Sequence, residues 1–488
     1  MAADRPLRVC LVSSEVVPFA KTGGLADVTA ALARFLARRE HDARVVMPMY
    51  ASVRTGFPSH PVAELQDVPL TLGGRTRFFS VSTLSLPNSS ATVYAVRCPE
   101  LYERPGIYTQ DPDEHVRFAF LSQAALRICQ QLGWGPDVVH CNDWHTGLLP
   151  LYLWSHFGWD ALFARTRAVM TIHNIGYQGV VGSHAVGELG LENERHLLHQ
   201  GSLEAGRINF LETGLLYANA ITTVSETYAR EIQGAEQGKG LDGILRQRGD
   251  VLVGIVNGVD YGEWNPRTDP LIPARYTPKD ISGKRECKRT LLERMGLAPG
   301  PDALVIGVVS RLTSQKGLDL CHEVLPRLLG ERDLRLCVLG RGERELERFF
   351  SGLSQRFPGK AAYDVGYKED LAHHIEAGAD LFLMPSRYEP CGLNQMYSLK
   401  YGTVPLVRRT GGLADTVEPW DPATREGTGF LFNDFTPAAL DGALRFVLHC
   451  WEDREAWRVL MRNGMARDFS WDRQGERYVE LYRRIVPD

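Results

Sequence analysis

The sequence offers little that would mark a nucleic-acid, membrane or secreted protein. Its 488 residues carry 55 Lys+Arg against 59 Asp+Glu, a formal net charge of −4, and no domain-sized basic block, which excludes a polyanion as the main partner. No apolar run approaches the ~18 residues that a bilayer demands, and the start, Met1-Ala2-Ala3-Asp4-Arg5-Pro6, lacks the charged and apolar regions of a secretory signal. Nine scattered cysteines include no C-x-x-C pair. They read as reduced thiols of a cytoplasmic protein, not as a disulfide frame or a zinc site. Low-complexity tracts, heptads and short-period repeats are missing as well. No Gly-x-Gly-x-x-Gly opens the first helix, which sets aside a nicotinamide-dependent oxidoreductase.

What the chain does have is length and alternation. It exceeds the ~250–300 residues at which one core stops growing, so two large domains are expected. Apolar strand patterns alternate with helical ones, the mark of parallel sheets with crossover helices. In the first half strands are predicted at Val9–Val12, Val45–Met47, Val93–Val96, Asp137–His140, Ala168–Ile172, Ala220–Val224 and Val251–Val256. Leu25, Val28, Leu32, Phe35 and Leu36 share one helical face after the first of them. The second half repeats the pattern at Leu304–Val309, Leu334–Leu339, Ala362–Val365, Leu381–Met384 and Val404–Val407. The Gly-, Pro-, Asn- and Asp-rich stretch from Asn257 to about Pro273 reads as a linker. These limits give domains 1–256 and 257–470. A last amphipathic segment, 471–488, with Tyr478, Leu481, Tyr482 and Ile485 at helical spacing, is expected to pack back on the first domain.

A cation followed by Thr-Gly-Gly-Leu-Ala-Asp occurs twice, at Lys21–Asp27 and at Arg409–Asp415. Paired glycines let a backbone approach a ligand closely, and a helix that follows presents unpaired N–H groups. Other polar clusters also follow strands: Ser14-Glu15, Asn142–His145, His173-Asn174, Asn257, Arg311–Lys316 and Ser386–Glu389. In open parallel sheets the carboxyl ends of the strands share the edge at which ligands bind, so all of these are expected to line one crevice between the domains. Arg311 and Lys316 suit a diphosphate, whose departure leaves negative charge to be stabilised. Glu389, in a turn set by Pro390 and Gly392, suits sugar hydroxyls or a cationic oxocarbenium-like transition state. His173 ends an apolar strand and is as readily structural as catalytic. His140, Cys141, Asp143 and His145 lack metal-ligand spacing, and no metal is expected.

Together these motifs resemble the bacterial glycogen synthase and plant starch synthase family. The most specific are Lys21-Thr-Gly-Gly-Leu-Ala-Asp-Val28, Asn142-Asp-Trp-His-Thr-Gly147, His173-Asn-Ile-Gly-Tyr-Gln-Gly179, Arg311-Leu-Thr-Ser-Gln-Lys316-Gly317 and Glu389-Pro-Cys-Gly-Leu-Asn-Gln395. The likeness runs from about Val9 to the C-terminus. It implies an α/β GT-B architecture, two Rossmann-like parallel-sheet domains facing an inter-domain cleft. It also implies transfer of glucose from ADP-glucose to the non-reducing end of an α-1,4-glucan, with retention at the anomeric carbon and no cofactor. By resemblance, Glu389, His173, Arg311 and Lys316 are the catalytic set. Lys21 and Gly24 lie by the nucleotide sugar, Gly366 and Tyr367 by the adenine ring, and Asp143 and Asn257 at glucose hydroxyls. Tyr102 lines the cleft, while Gly411 and Gly412 cradle phosphate. Asp27, His145, Asn174, Cys391, Gly392 and Leu393 complete the donor and substrate contacts. Two segments depart from the family pattern. The acceptor-side loop Glu236–Asp242 has Gln237 and Lys239 where aromatics are usual, and the usual Leu-Gly-Thr/Ser-Gly reads Leu339-Gly340-Arg341-Gly342. A glucan-binding protein without catalysis is the rival reading, and the intact cations at the diphosphate position weigh against it.

Overall fold

The computed structural model describes residues 5–487, which divide into two compact units. The first comprises residues up to 224, 229–258 and 471 onward; the second comprises 225–228 and 259–470.

The first unit is built on a sheet whose parallel part runs, from one edge, Leu252–Gly254, Ala220–Thr223, Arg167–Ile172, Val138–Asn142, Arg8–Val12, Asp42–Pro48 and Thr92–Arg97. Strands in this part are almost wholly buried, as apolar runs covered on both faces must be. The predicted strands are all present, but an antiparallel extension was not legible: Arg75–Ser85 pairs with Thr92–Arg97, and His60–Pro61 and Val68–Leu72 pair with it in turn. The helix Gly24–Arg38 buries Leu25, Val28, Leu32, Phe35 and Leu36. The C-terminal helix Trp471–Ile485 belongs to this unit and buries Trp471, Tyr478, Leu481 and Tyr482. Its Gly475 is required by proximity, because a Cβ there would stand 2.3 Å from the Phe35 ring.

The second unit carries a six-stranded, all-parallel sheet in the order Ala361–Val365, Leu334–Gly342, Leu304–Leu312, Leu381–Met384, Val404–Arg408 and Phe430–Phe432. Only the short edge strand Phe430–Phe432 goes unannounced in the sequence. The stretch read as a linker is not a free tether. Trp264 is buried and stacks on His373 and Tyr397, and the Asp269 carboxylate accepts bonds from His373 Nδ1 at 2.7 Å and Tyr401 OH at 2.5 Å. Among the described residues no helix is long and apolar enough to cross a membrane.

Strand order fixes where each unit can hold a ligand. In the first, the connection leaving Arg8–Val12 goes to one side and Val138–Asn142 lies on the other; in the second, the same reversal separates Leu304–Leu312 from Leu381–Met384. Ligands of open parallel sheets bind at such reversals, beyond the carboxyl ends of the strands. The Lys21–Asp27 loop and Asn142-Asp143 flank the first reversal. Arg311–Lys316 and the Glu389 turn flank the second.

Candidate active site

In the first unit the glycine loop is organised by a carboxylate. Glu15, 3% exposed just after the first strand, accepts bonds from the Thr22 hydroxyl at 2.6 Å, from the Thr22 and Gly23 N–H groups, and from the Tyr108 hydroxyl at 2.5 Å. Ser14 Oγ also meets Tyr108 OH, at 2.9 Å. This holds the loop open-faced. A Cβ built on Gly23 or Gly24 meets no protein atom within 4 Å, and Gly23 sits at an extended φ of −153° that any residue adopts. Lys21 lies 2.8 Å from Asp27, both partly exposed, and burial outweighs the lysine to raise the Asp27 carboxyl above its ordinary value.

The adjoining strand ends place Asn142, Asp143 and His173. Asp143 has φ +55°, an uncommon conformation for a residue with a Cβ, and the kind of strain that collects at functional sites. Its Oδ1 accepts the His173 N–H at 2.7 Å and the Asn174 N–H at 3.4 Å. Asn174 in turn accepts the Gly176 N–H. Asn142 donates its Nδ2 to the Val12 carbonyl at 3.1 Å, which leaves Oδ1 to face His173 Nε2 at 2.9 Å. His173 therefore carries its proton on Nε2 and keeps a lone pair on Nδ1. Burial pushes this imidazole down to about 3, so it is neutral at physiological pH.

Burial pushes the Asp143 carboxyl the other way, up to about 7, against two backbone donors and with Glu15 adding to the rise. Between the ordinary carboxylate value near 4 and about 7, the fold keeps a proton that the unfolded chain has released. Stability from this group is therefore lost as pH rises through that window and levels off above it. Asp143→Asn, which keeps an acceptor for His173, is expected to gain thermal midpoint relative to the parent steadily from pH 4 to 7 and no further above it. Differential scanning calorimetry of both proteins across pH measures this; a pH-independent difference would refute the shifted carboxyl.

The remaining residues singled out in the first half have the following surroundings. Tyr102 is fully buried, and its hydroxyl donates to the Arg117 carbonyl at 2.8 Å. The nearby tyrosine that reaches the polar group is Tyr108. His145 is buried in an aromatic nest, stacked on Tyr108 at 4.8 Å and packed on Phe118 and Trp144, and its Nδ1 has no partner. Burial, Arg117 and His173 together push it down to about 3. His140 spends both ring nitrogens on Tyr482 OH at 2.6 Å and Thr171 Oγ1 at 2.5 Å, so it does not join Cys141, Asp143 and His145 as a metal ligand. Asn257 is buried with Oδ1 unpartnered.

In the second unit Glu389 is 5% exposed, and both of its bonds fall on Oε2: Lys316 Nζ at 2.6 Å and Ser386 Oγ at 3.0 Å. Oε1 carries neither. Lys316 is thus tied to the carboxylate, while the exposed Arg311 guanidinium makes no hydrogen bond or ion pair with any described residue. Gly317, φ +66°, is obligatory, since a Cβ would stand 1.9 Å from the Pro385 carbonyl. The Glu389 turn is pinned from three sides. Asn394 Nδ2 donates to the Val309 carbonyl at 2.7 Å, and Gln395 Nε2 donates to the carbonyls of Cys391 and Gly392. Gly411 and Gly412 close against the same turn. Added Cβ atoms would lie 1.9 Å from the Glu389 carbonyl and 2.2 Å from that of Cys391, and the Gly412 N–H is bonded to the carbonyls of Glu389 and Pro390. Their local work is to seat Glu389. Cys391 is buried, Gly392 takes φ +74°, and Leu393 precedes the helix Asn394–Tyr401. Gly366, φ +109°, and Tyr367, 69% exposed, follow the edge strand Ala361–Val365.

With this geometry in hand, comparison with known proteins identifies the lineage. Residues 8–247 match the starch synthase catalytic domain family, and residues 293–462 match glycosyl transferases group 1. A glycogen synthase of Anaeromyxobacter sp. is 46% identical over 489 residues, covering 98% of this chain and 100% of the relative; that of Myxococcus xanthus is 46% identical, covering 99% and 100%. The chain belongs to the glycogen synthase family. Among solved structures, the catalytic domain of starch synthase IV from Arabidopsis thaliana, bound to ADP and acarbose, matches with a TM-score of 0.90 at 32% identity, covering 99% of this chain and all of that one. Sucrose-phosphate synthase from Thermosynechococcus elongatus, at 17% identity and a TM-score of 0.60, shares the fold. The fold is therefore the α/β GT-B class of this family, and the enzyme class is glycosyltransferase, with a nucleotide-sugar donor and a glucan acceptor.

Proposed function

We propose that this protein is a glycogen synthase that transfers glucose from ADP-glucose to the non-reducing end of an α-1,4-glucan with retention of configuration. The observation that carries the reading is the full-length likeness to glycogen synthases, with the family's charged motifs intact at the two strand-order reversals. Glu389 would bind the glucosyl group through Oε1 while Lys316 and Ser386 hold Oε2. Arg311 and Lys316 would take the departing diphosphate, and Asp143 and Asn257 the sugar hydroxyls. His173, neutral and fixed by Asn142, would stand beside the anomeric carbon. The glucose C1–O bond to phosphate breaks as C1 bonds to the acceptor O4. The leaving phosphate takes the proton of that hydroxyl, so retention follows from attack on the same face without a protein nucleophile. The Lys21–Gly24 loop, whose glycines have no conformational or packing need of their own, would approach the donor with its backbone. We place the enzyme in the cytoplasm, where its nine buried, unbridged thiols stay reduced.

The test is incorporation of labelled glucose into glycogen from ADP-glucose and, separately, from UDP-glucose, with and without chelator. Incorporation from ADP-glucose with equimolar ADP release, undiminished by chelator, is the expected result. Absence of transfer from ADP-glucose would remove the donor assignment, and loss on chelation would remove the metal-free one.

A further inference from the structure

The segment that departs from the family pattern, Leu339-Gly340-Arg341-Gly342, lies at the carboxyl end of the strand Leu334–Gly342, in parallel register with Leu304–Leu312. Register pairs Arg311 directly with Arg341. The flanking glycines make the pairing close: a Cβ at Gly340 would stand 2.1 Å from the Ser310 carbonyl, and one at Gly342 would stand 2.1 Å from that of Leu312. Neighbouring strands lie about 4.8 Å apart, and laterally paired residues project to the same face. Two guanidinium side chains thus rise side by side from one sheet edge.

Both are exposed, and neither guanidinium makes a hydrogen bond or ion pair with any described residue. Of the three acids that follow Arg341, two are spent on backbone, Glu343 accepting the Ser314 N–H at 2.8 Å and Glu347 the Gly342 N–H at 2.9 Å, and the third, Glu345, is exposed. Like charges side by side across a sheet oppose folding. An anion with two acceptor groups reverses that cost, since planar guanidinium forks match phosphate oxygens.

We propose that Arg341 is a donor-specificity residue: with Arg311 it binds the terminal phosphate of the nucleoside diphosphate, adding a second guanidinium to this site. The inference rests on the donor being a nucleoside diphosphate sugar. It makes the enzyme more selective for diphosphates over monophosphates, and more sensitive to inhibition by its own ADP product, than a chain with Thr there.

The experiment titrates ADP and AMP into the full-length enzyme and its Arg341→Thr variant by calorimetry, with circular dichroism confirming an unchanged fold. Loss of one charge-assisted contact should weaken ADP about tenfold or more and leave AMP within about twofold. ADP affinity unchanged, or ADP and AMP weakened equally, would overturn the proposal. A parallel assay of glucose transfer by the parent keeps the two readings separate. If the parent transfers no glucose but the ADP–AMP contrast persists, the synthase reading falls and the phosphate contact stands; an active parent with no contrast sinks the contact alone.

Discussion

Replacing Glu389 by alanine is expected to lower kcat about a hundred- to a thousandfold, the scale of losing one preorganised group at a transition state, while ADP affinity holds or improves. The asymmetry follows from the carboxylate's partners. Lys316 Nζ and Ser386 Oγ both hold Oε2, so the side chain presents Oε1 in a fixed direction without reaching for it. In the proposed reaction, charge that develops on the sugar as the C1–O bond lengthens would meet a carboxylate that needs no reorganisation. Removal of Glu389 also releases Lys316, 19% exposed in its side chain, from its ion pair, and a freed ammonium is a better phosphate ligand. Lys316→Ala should behave differently, losing ADP affinity and turnover together, because it takes away a phosphate cation and unfastens the carboxylate at once. Steady-state kinetics with labelled donor, paired with ADP calorimetry, separates the two variants. Near-normal kcat in Glu389→Ala would take that residue out of the chemistry, and weakened ADP binding in it would show that the ion pair assists the cation instead of restraining it.

Much of this site is legible in the sequence because parallel strands advertise their ends. Buried on both faces, they read as short apolar runs, and the first polar residues after each run are the ones delivered to the ligand edge. Arg8–Val12, Val138–Asn142, Arg167–Ile172, Leu304–Leu312 and Leu381–Met384 all give themselves away like this. Which ends are neighbours is another matter. The reversal between Arg8–Val12 and Val138–Asn142 depends on strand pairing across more than a hundred residues, and no local pattern records it. Tyr108 is illegible for the same reason. It stands outside every motif, 93 residues from the carboxylate it bonds, whereas Tyr102, singled out by resemblance, is drawn into the core. The antiparallel ribbon Arg75–Ser85 buries one face only, so its polar alternation resembles a loop more than the interior strands do. Trp264 and Asp269 sit in a stretch whose Gly, Pro and Asn content signals a linker, yet both are buried in the second unit, where aromatic stacking and two hydrogen bonds outweigh composition.

The repeated Thr-Gly-Gly-Leu-Ala-Asp shows how far identical residues can differ in duty, and it yields a sharp expectation. At Gly411, φ +43°, an added methyl meets the Glu389 carbonyl at 1.9 Å, and the obstacle is backbone in a turn already pinned by Asn394 and Gln395. Gly411→Ala therefore combines left-handed strain with an unavoidable clash. It should cost about 4 kcal/mol or more, a fall of ~10 °C in the midpoint of a unit this size. At Gly23 and Gly24 neither condition holds, since φ at Gly23 is extended and no protein atom lies within reach of a new methyl. Gly24→Ala should leave the midpoint within about 1 °C, or gain slightly, because alanine favours a first helical turn over glycine. Its damage should appear instead as a raised KM for the nucleotide sugar. The final aspartates divide likewise: Asp27 pairs with Lys21, whereas Asp415 accepts both the N–H and the hydroxyl of Thr227. Calorimetry on the two glycine variants, beside donor saturation curves, decides the matter. A stable Gly411→Ala protein would show that the turn yields where its hydrogen bonds say it cannot. A Gly24→Ala protein with an unaltered KM would leave the first loop's glycines without a ligand to explain them.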